Sequence, residues 1–111
     1  MLKDDLIRLR HMLDSAKEAM AFADRKTRKD LDKNRILTLS LVKCIEIIGE
    51  AATKVSEQCR TENPSIPWID IVNMRHRLIH AYFDVNLDIV WQTVVNDLPA
   101  LVTELEKIVP G

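Results

Sequence analysis

Apolar residues recur at helical spacing through most of this chain. Leu6, Leu9, Leu13, Ala16, Met20 and Ala23 fall at steps of three and four, which predicts a first amphipathic helix over residues 4–24. His11 lies off that stripe among charged residues and reads as a solvated surface side chain. Residues 24–35 break the pattern with six basic and three acidic side chains, a solvated connection with a short helical turn. Its surplus of positive charge makes it a candidate phosphate contact. Periodicity resumes over residues 35–60, the longest predicted helix, whose apolar positions from Ile36 to Cys59 cover about half its circumference. An arc that broad exceeds what one neighbour covers, so this helix is expected to meet both its own bundle and a second subunit. Gly49, close to Ala51 and Ala52, permits a close approach of another helix at some cost in helix propensity.

Pro64 and Pro67 in Thr-Glu-Asn-Pro-Ser-Ile-Pro end that helix and set up the next. Pro67 suits a first helical turn, and the fourth predicted helix runs over residues 67–81. Residues 83–87 read as a turn in which Asn86 or Asp84 caps a last helix over 87–109. Its stripe is Leu87, Val90, Trp91, Val94, Leu98, Leu101, Leu105 and Ile108, with Pro99 off the stripe and expected to kink or restart it.

Composition agrees with that pattern. Hydrophobic residues make up 47% of the 111 and charged ones 30%, which excludes a disordered chain. Only two glycines disfavour a protein built of β-hairpins. The expectation is a single domain over residues 1–111, all-α, an antiparallel bundle of four to five helices. A net charge of −1 provides no global field for nucleic acid, so any such binding needs a local patch. Cys44 and Cys59 lie on one predicted helix, roughly 22 Å apart, too far to bridge within it, and read as buried thiols of a reducing cytoplasm. Neither a membrane span nor a signal peptide is apparent, and a cytoplasmic protein is expected.

Chemistry-bearing side chains concentrate in Arg75-His76-Arg77-Leu78-Ile79-His80-Ala81-Tyr82, which holds two arginines, two histidines and the only tyrosine. On a continuous helix Ile71, Val72, Met74, Leu78 and Ile79 form an apolar arc with Arg75 in its middle. A guanidinium there is costly unless it is paired, with Glu46 or Glu50 as candidates, or opens into a cleft. Arg75 and His80, five positions apart, point roughly 140° apart on an ideal helix. One stripe therefore cannot present both. Either the helix distorts near its end, or two copies meet across a two-fold cleft. Periodicity alone equally admits a structural reading, with Arg75 as an ion-pair residue, His80 as a helix C-terminal histidine and Tyr82 as a packed aromatic. His76 and His80 at i and i+4 lack a third ligand at zinc spacing, so no metal site is expected.

Arg75-x4-His80-x-Tyr82 resembles the RX4HXY signature of HepT-like toxins in the HEPN superfamily. Ile48-Gly49-Glu50-Ala51, Pro67-Trp68 and Asp97-Leu98-Pro99 are similar to the family as well, so the likeness covers nearly the whole chain; Ala81 stands where a glycine is common. The resemblance implies a HEPN-like helical bundle that forms a homodimer with both motifs in a shared cleft. It implies a metal-independent endoribonuclease toxin acting on RNA, tRNA in the first instance, without a cofactor. Its antitoxin partner would be an MntA-like nucleotidyltransferase that silences it by AMPylation of Tyr82. In this scheme Arg75 and His80 are catalytic, and His76, Arg77 and Tyr82 contact RNA. The alternative is a non-catalytic HEPN module that binds nucleotide or scaffolds the partner nucleotidyltransferase.

Overall fold

The computed structural model describes residues 1–81 and 84–110, the side chains of residues 79–81 excepted. The first helix, α1 (Lys3–Ala23), runs antiparallel to α3 (Arg35–Thr53). Asp5 meets Ser56 just past the end of α3, and Glu18 meets Cys44 near its middle. On its other flank α1 runs antiparallel to α8 (Leu98–Ile108), with Arg10 donating to the Pro110 carbonyl at 2.7 Å and Lys17 pairing with Glu106 at 3.5 Å. Leu9, Met12, Leu41, Ile45, Ile48, Leu98 and Leu105 fill the space between these three helices and are fully buried. The connection from α1 to α3 is solvated and holds the short α2 (Asp30–Lys33), as expected. Its Arg28 is committed to Asp88 at 2.7 Å and Asp32 at 3.3 Å. Asn34 then caps α3 by accepting the Leu37 N–H at 3.0 Å.

The helix expected over residues 35–60 is two helices. α3 stops at Thr53, and α4 (Glu57–Glu62) starts anew after Ser56. Long-range and local partners satisfy the groups freed by the break. The buried carboxylate of Asp5 accepts the Ser56 N–H at 2.8 Å and its hydroxyl at 2.7 Å, and Ser56 Oγ accepts the Cys59 N–H at 3.2 Å. Arg60 folds back to donate to the carbonyls of Ala52, Thr53 and Val55 at 2.9–3.2 Å. Cys44 and Cys59 therefore sit on different helices, both buried and both free.

The helix expected over 67–81 is also interrupted. α5 (Trp68–Val72) follows Pro67, which stands just outside its first turn; Asn73, at φ −88° and ψ 0°, separates it from α6 (Met74–Leu78). α6 ends before His80. There the chain turns into a small antiparallel ribbon of β1 (Ile79–Ala81) and β2 (Asp84–Val85), with Ile79 opposite Val85. The Leu78 carbonyl at the end of α6 accepts the Asn86 N–H at 2.6 Å. The fold is thus predominantly helical with one short ribbon added. Asn86 also caps α7 (Leu87–Gln92), accepting the Ile89 N–H at 3.1 Å. α7 passes into α8 through a π-helical turn over Thr93–Asp97. Pro99 has no N–H for an i→i−4 bond and its ring crowds the carbonyl of Val95. The wider turn absorbs both defects without ending the helix. No described helix is long and apolar enough to cross a membrane.

Candidate active site

The motif helix α6 packs against α3 through the buried side chains of Met74 and Leu78. That contact turns Arg75 towards the C-terminal half of α3, where its Nε lies 3.6 Å from Glu46 Oε1. Of the two carboxylates proposed from the sequence, Glu46 is the partner. The pair is not sealed: the Arg75 side chain is 55% exposed and that of Glu46 31%. Arg75 therefore opens into a cleft and is not buried on an apolar face.

Arg75 lines a groove of about 390 Å³ between α1 and α3. Arg8 and His11 line it from α1, Lys43, Glu46 and Glu50 from α3, and Lys54 from just past its end, with Ile47 and Ala51 beneath. His11 is exposed, as expected, yet it shares this groove with the motif arginine. The spacings that make the groove, 8/11 and 43/46/47/50/54, are helical-face spacings visible in the chain. Nothing local shows that the two faces adjoin, because that follows from the antiparallel packing of α1 on α3.

His76 is exposed on α6. Arg77 points elsewhere, into a cleft of about 290 Å³ between α5–α6 and α8, where its guanidinium lies 4.0 Å from Asp97. Asp70 and Glu104 also line that cleft. Lys107, at 3.1 Å, and then the Ser65 hydroxyl, at 3.0 Å, hold the Glu104 carboxyl below the ordinary carboxylate range. Arg75 and Arg77, two residues apart, thus serve different surroundings, one basic and one acidic.

His80 lies in β1, and its side chain falls outside the described residues, as does Tyr82 altogether. The end of α6 at Leu78 nevertheless bears on the motif, because the 140° opposition of an ideal helix no longer governs Arg75 and His80. Of the two resolutions open from the sequence, a helix that departs from ideality near its end is present in the single chain. Among the described residues no three His, Cys, Asp or Glu side chains converge as a metal-ligand set.

The family described as "Ribonuclease HepT-like" matches residues 12–108 of this chain. A Methanocaldococcus jannaschii protein named "Putative RNase MJ0127" is 30% identical over 107 residues, covering 96% of this chain and 88% of its own length. One from Caldanaerobacter subterraneus subsp. tengcongensis named "Putative RNase TTE0752" is 38% identical over 80 residues, 72% of this chain and 71% of that one. A Thermococcus cleftensis protein named "Probable ribonuclease HepT" is 39% identical over 69 residues, 62% of this chain and 63% of its own. No solved structure matches the chain significantly.

Proposed function

The chain belongs to the HepT-like ribonuclease family, and from that premise we propose that it is a metal-independent endoribonuclease, the toxin of a toxin–antitoxin pair, with tRNA as its substrate. The observation that carries the reading is the half-exposed Arg75, paired among the described residues with Glu46 at 3.6 Å, in a basic groove. An exposed ion pair contributes about 0–1 kcal/mol. A charge-assisted bond from a guanidinium to an anionic oxygen contributes about 1.5–3 kcal/mol. Arg75 is therefore only weakly committed to Glu46 and is available to a phosphodiester.

In the proposed reaction His80 takes the proton of the ribose 2′-hydroxyl. The 2′-oxygen bonds to phosphorus, the P–O5′ bond breaks and the leaving oxygen takes a proton from water, whose hydroxide is neutralised by the proton His80 gives up, giving a 2′,3′-cyclic phosphate and a 5′-hydroxyl. Arg75 neutralises the charge that builds on the phosphorane-like transition state. His76 and Tyr82 are secondary RNA contacts. Arg77 assists only from the edge of the acidic cleft, where Asp97 competes for it. A homodimer brings two motifs to one cleft. Ile36 and Leu39, 80% and 50% exposed along α3, support such a second contact layer. Silencing by an MntA-like nucleotidyltransferase proceeds by attack of the Tyr82 phenol oxygen on the α-phosphorus of ATP, with pyrophosphate leaving. The attached AMP adds bulk and negative charge to the motif, which opposes binding of an anionic strand.

The test is tRNA cleavage in excess chelator by wild type and His80→Ala, with growth arrest scored in parallel. The expectation is cleavage and arrest by wild type, and loss of both in the variant at an unchanged melting temperature. A His80→Ala protein that cuts like wild type overturns the mechanism. Incubation with the nucleotidyltransferase and ATP is expected to add whole AMP units to the intact mass, and Tyr82→Phe to abolish the increment.

A further inference from the structure

Two grooves flank the motif helix, and their charge differs sharply. The α1–α3 groove is lined by Arg8, Lys43, Lys54, Arg75 and His11 against the carboxylates of Glu46 and Glu50. The cleft beside α8 sets Arg77 against Asp70, Asp97 and Glu104. In a chain of net charge −1, the first is a local concentration of positive charge that the overall balance conceals.

Glu46 and Glu50 are each engaged by one cation, Glu46 by Arg75 at 3.6 Å and Glu50 by Lys54 at 3.4 Å. Among the described residues Arg8, His11 and Lys43 have no carboxylate partner. The groove thus keeps donors on both walls that no intramolecular anion uses. From Lys43 to Lys54, just past its end, it follows α3 for about 16 Å, which accommodates more than one phosphate of a strand. Ala51 at its base keeps it open where a longer side chain would fill it.

We infer that the α1–α3 groove is the track for the RNA backbone leading to Arg75, with Arg8, His11 and Lys43 holding phosphates away from the bond that is cut. This rests on the ribonuclease reading above and adds the path by which substrate reaches the motif. The contacts are to phosphate, so the groove supplies affinity and register, not base specificity. The acidic cleft beside α8 repels the same strand and makes the approach one-sided.

The experiment measures binding of unfractionated tRNA by the full chain in the His80→Ala background, by fluorescence anisotropy across a salt series. Arg8→Ala/Lys43→Ala is compared with the parent and with Lys17→Ala, which lies outside the groove. Each phosphate contact to a single strand contributes about 0.7 to the slope of log K against log salt, or roughly fivefold in affinity at 0.1 M. The double variant is expected to lower the slope by about 1.4 and weaken binding roughly 25-fold, while Lys17→Ala changes neither. A double variant that binds tRNA with the parent's affinity and slope overturns the inference. If in addition it no longer co-purifies with the nucleotidyltransferase, the groove is a protein-docking surface. Cleavage by the wild-type protein separates the two levels. Cleavage with an unaffected double variant sinks the groove and leaves the ribonuclease standing. Loss of binding in the double variant with no cleavage by wild type keeps the groove and sinks the nuclease.

Discussion

Gly49→Ala probes how a residue distant from the motif holds the motif in place. Gly49 is buried on α3, and a Cβ there would lie 3.3 Å from the Ile71 carbonyl oxygen and 3.9 Å from that of Val72. Both obstacles are backbone atoms of α5 and its end, and the Ile71 side chain is itself anchored in the core. The extra methyl therefore cannot be met by a rotamer change. α5 has to move off α3 by a few tenths of an ångström. In a free helix the substitution stabilises by about 1 kcal/mol. Overpacking against an immobile neighbour costs about 1–3 kcal/mol. The structure predicts that packing wins, with a net loss of about 1 kcal/mol and a fall in melting temperature of about 4–6 °C for a domain of this size. α6 follows α5 directly, and Glu46 sits one turn before Gly49, so the displacement also widens the 3.6 Å gap between Arg75 and Glu46. Calorimetry paired with tRNA cleavage is the assay, with both stability and rate expected to fall. A melting temperature that rises by several degrees with unchanged cleavage would refute the reasoning, showing that the close approach of α5 neither constrains the fold nor places the arginine.

Asp5→Ala removes the acceptor of two hydrogen bonds from Ser56 in a buried site. It should cost about 1–3 kcal/mol in denaturant unfolding, and an unchanged midpoint would show that the α3–α4 break has other support. Burial, and then the contact with Glu18, pushes the Cys44 thiol up to about 11. Between the ordinary thiol pKa, near 9, and that value the native protein keeps a proton that the unfolded chain releases. Stability is therefore retained below pH 9 and lost as pH rises towards 11, by about 2–3 kcal/mol at the top of the window. The difference between wild type and Cys44→Ala, followed by urea unfolding from pH 8 to 11, isolates this loss; parallel curves would contradict it.

Much was legible along the chain because it depends on neighbours in sequence. The stripe of α1 and the apolar face of α3 come from helical periodicity. Asn86, one of the two caps expected, caps α7 because a short side-chain oxygen reaches an N–H three residues on. The motif's residues, and with them the family, are likewise a matter of order in the chain. The tertiary structure decided wherever a partner came from far away. Residues 53–57 continue a good helical pattern, yet the helix breaks because Asp5, 51 positions earlier, takes up the Ser56 N–H and hydroxyl. The pattern also runs past Leu78, yet α6 stops there because pairing of residues 79–81 with 84–85 competes with another helical turn. Pro99 announced a defect, but not that a π-helical turn would absorb it. The pairing of Arg75 with Glu46 rather than Glu50, its separation from Arg77, and the groove shared by Arg8, His11 and Lys43 all depend on which helical faces meet. Periodicity shows that a face exists; only packing chooses what it faces.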